Sequence, residues 1–404
     1  MGSAPSWTDG RAWPRTTGVG ARLRTSSQVA AVTSAALALA VGALAVWLSI
    51  APFGARLSAL VRMSAGDPIA RVAGAADGAW AFVGSHYDGI YFFTIGIDPI
   101  AKGTAHTLID QAAYRYGHPA YGWIAGALAL FDPRWLPLTL PLVSLLSIAV
   151  AGWGLARVAQ LLGASGWIGA LVALNPGLIF AVANDTSEAL GAALLLLTLW
   201  AWLTSRYRLA SLLLVPLCFT KEPLLLVPIA LAGWETLQWL RSGDRAAWLG
   251  RLVFLAPGPL LYVAWSVYVA VTFGQSSFTG AGLLSLPVPL AGWVDALGKA
   301  AAMAGGDFSA MQIGAGMLPI ELASLAALLI GMGLAARLRT PVDAVLLLLS
   351  SVMCFLSWLQ VLYPKDLIRT LALVWLLVPL TLVSRAAVRA DHPERVAEGI
   401  ASER

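Results

Sequence analysis

Charged residues are scarce in this chain of 404 residues: Asp, Glu, Lys and Arg together make up 12%. A soluble domain carries about 25%, so an extensive water-facing surface is excluded. Lysine is limited to Lys102, Lys221, Lys299 and Lys365, and no basic stripe with interleaved aromatics occurs. The formal charge of +5 therefore does not point to nucleic acid. The two cysteines, Cys218 and Cys354, lie in apolar runs. They read as small buried hydrophobes, which excludes a disulfide framework and a thiolate metal site. A Gly-rich phosphate loop and a fixed-period repeat are both missing.

Apolar residues are abundant. They make up 59% of the chain, and the mean hydropathy is +0.77. The excess is spread over many continuous runs, which predicts an all-α polytopic membrane protein. A barrel wall would alternate instead. The runs at 29–51, 137–156, 167–183, 187–204, 209–220, 224–240, 252–272, 316–336, 343–361 and 367–384 predict about ten spans. Residues 119–131 form a shorter run, read as a re-entrant or tilted partial helix. Arginines follow the runs at Arg157, Arg206, Arg241, Arg337 and Arg385, which places both termini in the cytoplasm by the positive-inside rule. Residues 1–28 and 385–404 are then cytoplasmic tails, the first disordered. Residues 52–117 and 273–315 become external loops, the second with the character of a lid. Arg56, Arg62 and Arg71 suggest an amphipathic helix in the membrane interface over 55–81.

The first loop holds the densest polar and aromatic stretch, from His86 to Tyr121. It contains three of the four histidines and five of the nine tyrosines. Asp88 follows His86-Tyr87 and reads as a general base or as an Asx-type turn with Gly89. Asp98 reads as a second carboxylate, a metal ligand or a turn cap. His86, His106 and His118 lack the spacing of a dedicated zinc site. Arg115, Tyr116 and His118 stand at the edge of the membrane. They suit a bidentate grip on phosphate or simple interface anchoring. The other polar steps fall between runs, at Asn184-Asp185 with Glu188, at Lys221-Glu222 and at Lys365-Asp366 with Arg369. Charges in such places mark a functional cleft or neutralise one another as structural pairs.

A first span, a long loop opening on an aromatic-flanked aspartate, and a Tyr114-Arg115-Tyr116-Gly117-His118-Pro119 segment re-entering the membrane resemble the GT-C glycosyltransferases. The likeness is to PIG-V-type mannosyltransferases and actinobacterial cell-envelope glycosyltransferases. It implies transfer of a sugar, with inversion, from a polyprenyl-phosphate donor to a glycan or lipid acceptor. The reaction would take place on the external face of the bacterial cytoplasmic membrane. It also implies Asp88 as general base, with Arg115, Tyr116, His118, Asp185, Glu188, Lys221 and Glu222 at the site; the chemistry of the polar steps adds His86, Tyr87, Asp98, Lys365, Asp366 and Arg369 around the substrate. A divalent metal is admitted as cofactor but not required. Two other readings stand beside it: a transporter or flippase of polyprenyl-linked glycans, and a noncatalytic scaffold of envelope assembly.

Overall fold

The computed structural model describes residues 19–84, 86–278, 288–304 and 317–391. Residues 1–18 and 392–404 of the expected tails, and 279–287 and 305–316 of the second loop, lie outside the described residues. Among those described the regular elements are all helices, and the one β-bridge, Ser64 to Val83, is isolated. Five helical segments are long and apolar enough to cross a membrane: Ser27–Phe53, Leu136–Leu161, Glu222–Ser242, Arg245–Phe273 and Leu318–Ala335. Two bent pairs raise the number to seven. Gly166–Leu174 meets Pro176–Ala183 at 55°, and Pro364–Thr370 meets Ala372–Ala386 at 48°. Three shorter apolar helices lie along the remaining runs: Glu188–Leu203, Tyr207–Cys218 and Pro341–Met353.

The outer faces are apolar, as a bilayer requires and water does not allow. On the helix Pro257–Phe273, Leu260, Val263, Val267 and Val271 are all exposed at helical spacing. Inside, small residues let the backbones approach closely. A Cβ on Gly152 would lie 2.8 Å from the Ser34 carbonyl oxygen, and one on Gly169 would lie 2.5 Å from the Gly152 carbonyl oxygen. The amino-terminal helix, Leu136–Leu161 and Gly166–Leu174 pack together around these points.

Two expectations change. The first helix begins at Val19, inside the segment read as a tail. Residues 55–81 do not form one amphipathic helix. Gly54, Ala55 and Arg62 adopt left-handed backbone, and Pro68 interrupts the stretch after Arg62. Only the short helices Leu57–Val61 and Ala70–Ala76 remain. The run 119–131 contains the helix Ala120–Leu128, which ends before left-handed Leu130 and Phe131. At 1.5 Å per residue its nine residues reach about 14 Å, half of the hydrocarbon thickness. In the second loop the helix Ala291–Ala304 is present, anchored by fully buried Trp293, whose indole donates to the Met353 carbonyl at 2.9 Å.

Two of the breaks place the site. Asn175 caps the helix Pro176–Ala183 by accepting from the Leu178 amide at 3.1 Å, and its amide donates to the Ala372 carbonyl at 2.9 Å. Beside it, Gly177 lets the helix Pro364–Thr370 approach so closely that a Cβ would overlap the Ile368 carbonyl oxygen. That helix carries Arg369. At the second break, Pro223 opens a new turn, and the Thr220 carbonyl accepts from the Ser187 hydroxyl at 3.2 Å. This joins Lys221 to the start of the helix that Glu188 begins.

Candidate functional site

Five segments of the chain bring their charges together at helix ends. Asp88 stands just before the helix Gly89–Ile97. One of its oxygens lies 3.2 Å from Arg115 Nη1, and the other accepts from Arg369 Nη1 at 2.5 Å. Arg369 Nε lies 3.1 Å from Glu188 Oε1, which also receives Lys221 Nζ at 2.6 Å. On the far side, Arg369 is 3.7 Å from Asp366, and Tyr87 donates its hydroxyl to Asp366 at 2.8 Å. Lys365 Nζ sits 4.8 Å from the centre of the Tyr87 ring. A continuous network of alternating charge therefore runs from Asp110 through Arg115, Asp88 and Arg369 to Glu188 and Lys221.

The network is largely withdrawn from solvent, with Arg369 at 12% and Glu188 at 7% side-chain exposure. Burial pushes the Asp88 carboxyl up, but the Arg369 and Arg115 guanidiniums, with the Arg369 hydrogen bond, outweigh it and bring it down to about 2. Arg115 is shaped for this position by Tyr91 and Tyr114. Its guanidinium lies 3.5 Å from the Tyr91 ring centre and 5.3 Å from that of Tyr114, close enough for cation–π attraction.

Next to the network lies a second buried pair. His118 Nδ1 is 3.2 Å from Glu222 Oε1, and Tyr114 meets the His118 ring edge-on with centroids 4.9 Å apart. A void of about 40 Å³ opens beside Glu188, Lys221 and Arg369. It has room for water but not for a sugar ring, so the site is closed in this conformation. Farther out, an apolar groove of about 620 Å³ runs between Trp123, Phe219, Leu261, Trp265 and Tyr268, with Lys102 at its rim. Ala120, two residues beyond His118, is on its wall.

Of the residues singled out from sequence, Asp88, Tyr87, Arg115, Glu188, Lys221, Lys365, Asp366 and Arg369 meet in the network, and His118 and Glu222 meet beside it. The others are elsewhere. His86 is half-exposed and pairs with Asp67 at 2.9 Å. Asp98 ties off its own loop, accepting from the Lys102, Gly103 and His106 amides and facing His106 Nδ1 at 2.8 Å. Burial pushes its carboxyl up, yet these donors hold it below the ordinary carboxylate range. Tyr116 is fully buried and donates to the Asp98 carbonyl at 2.6 Å. Asp185 is fully buried beneath the network, 3.4 Å from the Tyr121 hydroxyl.

Sequence reading did not assign to the site Tyr91, Tyr114 and Asp110, which surround Arg115, or Arg62, which holds Asn184 at 2.8 Å. One signal for Arg62 was present: an arginine in a loop read as external does not serve topology. Among the described residues, no group of three or more His, Cys, Asp or Glu side chains is arranged to hold a metal ion. The carboxylates of the network face cations or the Tyr87 hydroxyl.

No family model, no curated protein and no solved structure matches the chain. The chemistry of the network is therefore what bears on function.

Proposed function

We propose that this protein is a multi-pass glycosyltransferase of the bacterial cytoplasmic membrane. In this reading about ten crossings in a GT-C-like arrangement frame an external site. There a sugar moves, with inversion, from polyprenyl phosphate to a cell-envelope glycan or lipid acceptor. One observation carries the reading: a carboxylate, Asp88, is held between two guanidiniums, Arg115 of its own loop and Arg369 from the last third of the chain. Such a constellation supplies both halves of the chemistry. Arginine pairs bind phosphate bidentately. A carboxylate beside them takes the proton of an acceptor hydroxyl.

The acceptor oxygen attacks the anomeric carbon as the bond from that carbon to the phosphate oxygen breaks. The electron pair leaves on polyprenyl phosphate, where Arg115, Arg369 and Lys221 stabilise it. The acceptor proton passes to Asp88. In the closed site the two guanidiniums neutralise Asp88 and weaken it as a base. A phosphate that recruits them frees the carboxylate at the moment the base is needed. The apolar groove, with Lys102 at its rim, fits the isoprenoid chain of such a donor.

The two bent helix pairs favour a second reading, a transporter or flippase of polyprenyl-linked glycans, since broken helices frame transport sites. Asp88→Asn separates the two. Loss of a positioned base costs about 10²–10⁴-fold in rate, so the variant should retain donor binding and lose release of polyprenyl phosphate. The assay uses purified protein with mannosyl, arabinofuranosyl and glucosyl donors. Turnover at the wild-type rate would remove Asp88 from the role. Movement of lipid-linked glycan across vesicles without any transfer would establish the flippase.

A further inference from the structure

Arg62 lies in the first loop, outside the network, yet its backbone and side chain both lead to it. Its φ is +54°, and that of Asp185 is +47°. Left-handed backbone is uncommon for residues other than glycine, and it persists where the surroundings over-determine it. Here four contacts close a ring. The Tyr87 amide donates to the Arg62 carbonyl at 3.0 Å. Arg62 Nε donates to Asn184 Oδ1 at 2.8 Å. Asn184 Nδ2 donates to the Phe180 carbonyl at 2.8 Å, which fixes the amide's orientation. The Phe180 ring then returns to the Tyr87 ring, edge to face, with centroids 5.4 Å apart.

Between these strands of contact lies the residue after Asp88. A Cβ on Gly89 would sit 2.6 Å from the Val61 carbonyl oxygen and 3.0 Å from that of Asn184. The turn that ends at Ser187 leads directly into Glu188, which Arg369 holds along with Asp88. The geometry points to Arg62 as a positioning residue: through Asn184 and Tyr87 it locks the segment bearing Asp88 against the turn bearing Glu188, so that Arg369 spans both carboxylates. Lysine cannot substitute, because it lacks the Nε–H that meets Asn184 while the guanidinium stem is fixed.

The inference rests on the transferase reading for its kinetic consequence but not for its structural one. Purified Arg62→Lys, Asn184→Ala and the double variant are compared with wild type in two measurements. In hydrogen exchange, the amides of residues 87–93 should exchange at least about ten-fold faster in each variant, as expected when a hydrogen bond to a charged group is lost. The helix Leu136–Leu161 should be unchanged. In sugar transfer, kcat should fall about ten-fold or more with donor KM unchanged, since a misplaced base slows chemistry and not binding. The double variant should be no worse than either single one, because both cut the same link. Unchanged exchange at 87–93, or multiplicative losses in the double variant, overturns the clamp. If wild type transfers no sugar, the transferase reading fails while the exchange data still decide the clamp.

Discussion

Asp88 combines two demands that oppose each other. The guanidiniums that prepare the site for an anion also hold the carboxyl down at about 2. The unfolded value is near 3.9, so the depressed group stabilises the fold above about pH 4. That contribution is lost as pH falls through about 2. The same sign applies to catalysis. The profile of kcat/KM reports the free enzyme, in which Asp88 is already ionised at pH 5. We expect no acid limb between pH 5 and 7 in initial rates measured across that range. A limb with an apparent pKa near 6 would assign the base to another group. Glu188, shared between Lys221 and Arg369, keeps Arg369 in line. Breaking such a buried pair from one side is costly because the remaining charge is stranded.

Among the elements, the bent pairs matter most, because they deliver polar residues to the site without exposing backbone to lipid. The cap at Asn175 satisfies the Leu178 amide at the break, and Gly177 seats the helix that carries Arg369 against it. Gly177→Ala would force a Cβ into the Ile368 carbonyl oxygen, which as backbone cannot yield by rotation. The expected result is a displaced Pro364–Thr370 helix. Stability should fall by about 1–3 kcal/mol, as for other overpacked cores, with at least about ten-fold slower transfer. Thermal inactivation in detergent and initial rates check both. Wild-type values for the two would show that the helix seat has slack. The helix Ala120–Leu128 is too short to cross, so in the proposed topology the next span, Leu136–Leu161, enters from the same side as the first loop.

Across the whole molecule, the charged network, the Lys102 rim of the groove and the loop closed by Asp98 belong to the first loop and the junctions read as external. Cysteine labelling tests that sidedness. Thr104 and Gln275 are exposed, as is Ser242 at the opposite set of junctions. Both native cysteines are buried, so background reaction should be low. Thr104→Cys and Gln275→Cys should react with a membrane-impermeant maleimide in intact cells. Ser242→Cys should react only after permeabilisation. The reverse pattern would put the network in the cytoplasm, where a polyprenyl-linked donor presented outside could not reach it.

Hydropathy along the chain determined the helical membrane class, the order of the apolar runs and the break at Lys221-Glu222-Pro223. These features depend on local transfer energies and on proline's missing amide hydrogen. Charges at the junctions were legible for the same reason, since each interrupts an apolar run. Which charges meet was decided by tertiary packing. Asp88 and Arg369 are 281 positions apart, and only the close seat at Gly177 and the ring through Arg62 bring their helices to one point. His86 and Asp98 lie near Asp88 in the chain yet serve their own loops, because loop turns, not sequence distance, set where a side chain points. Arg62 shows the converse: in the sequence it reads as one more charge at the membrane interface, and only the fold shows it holding Asn184.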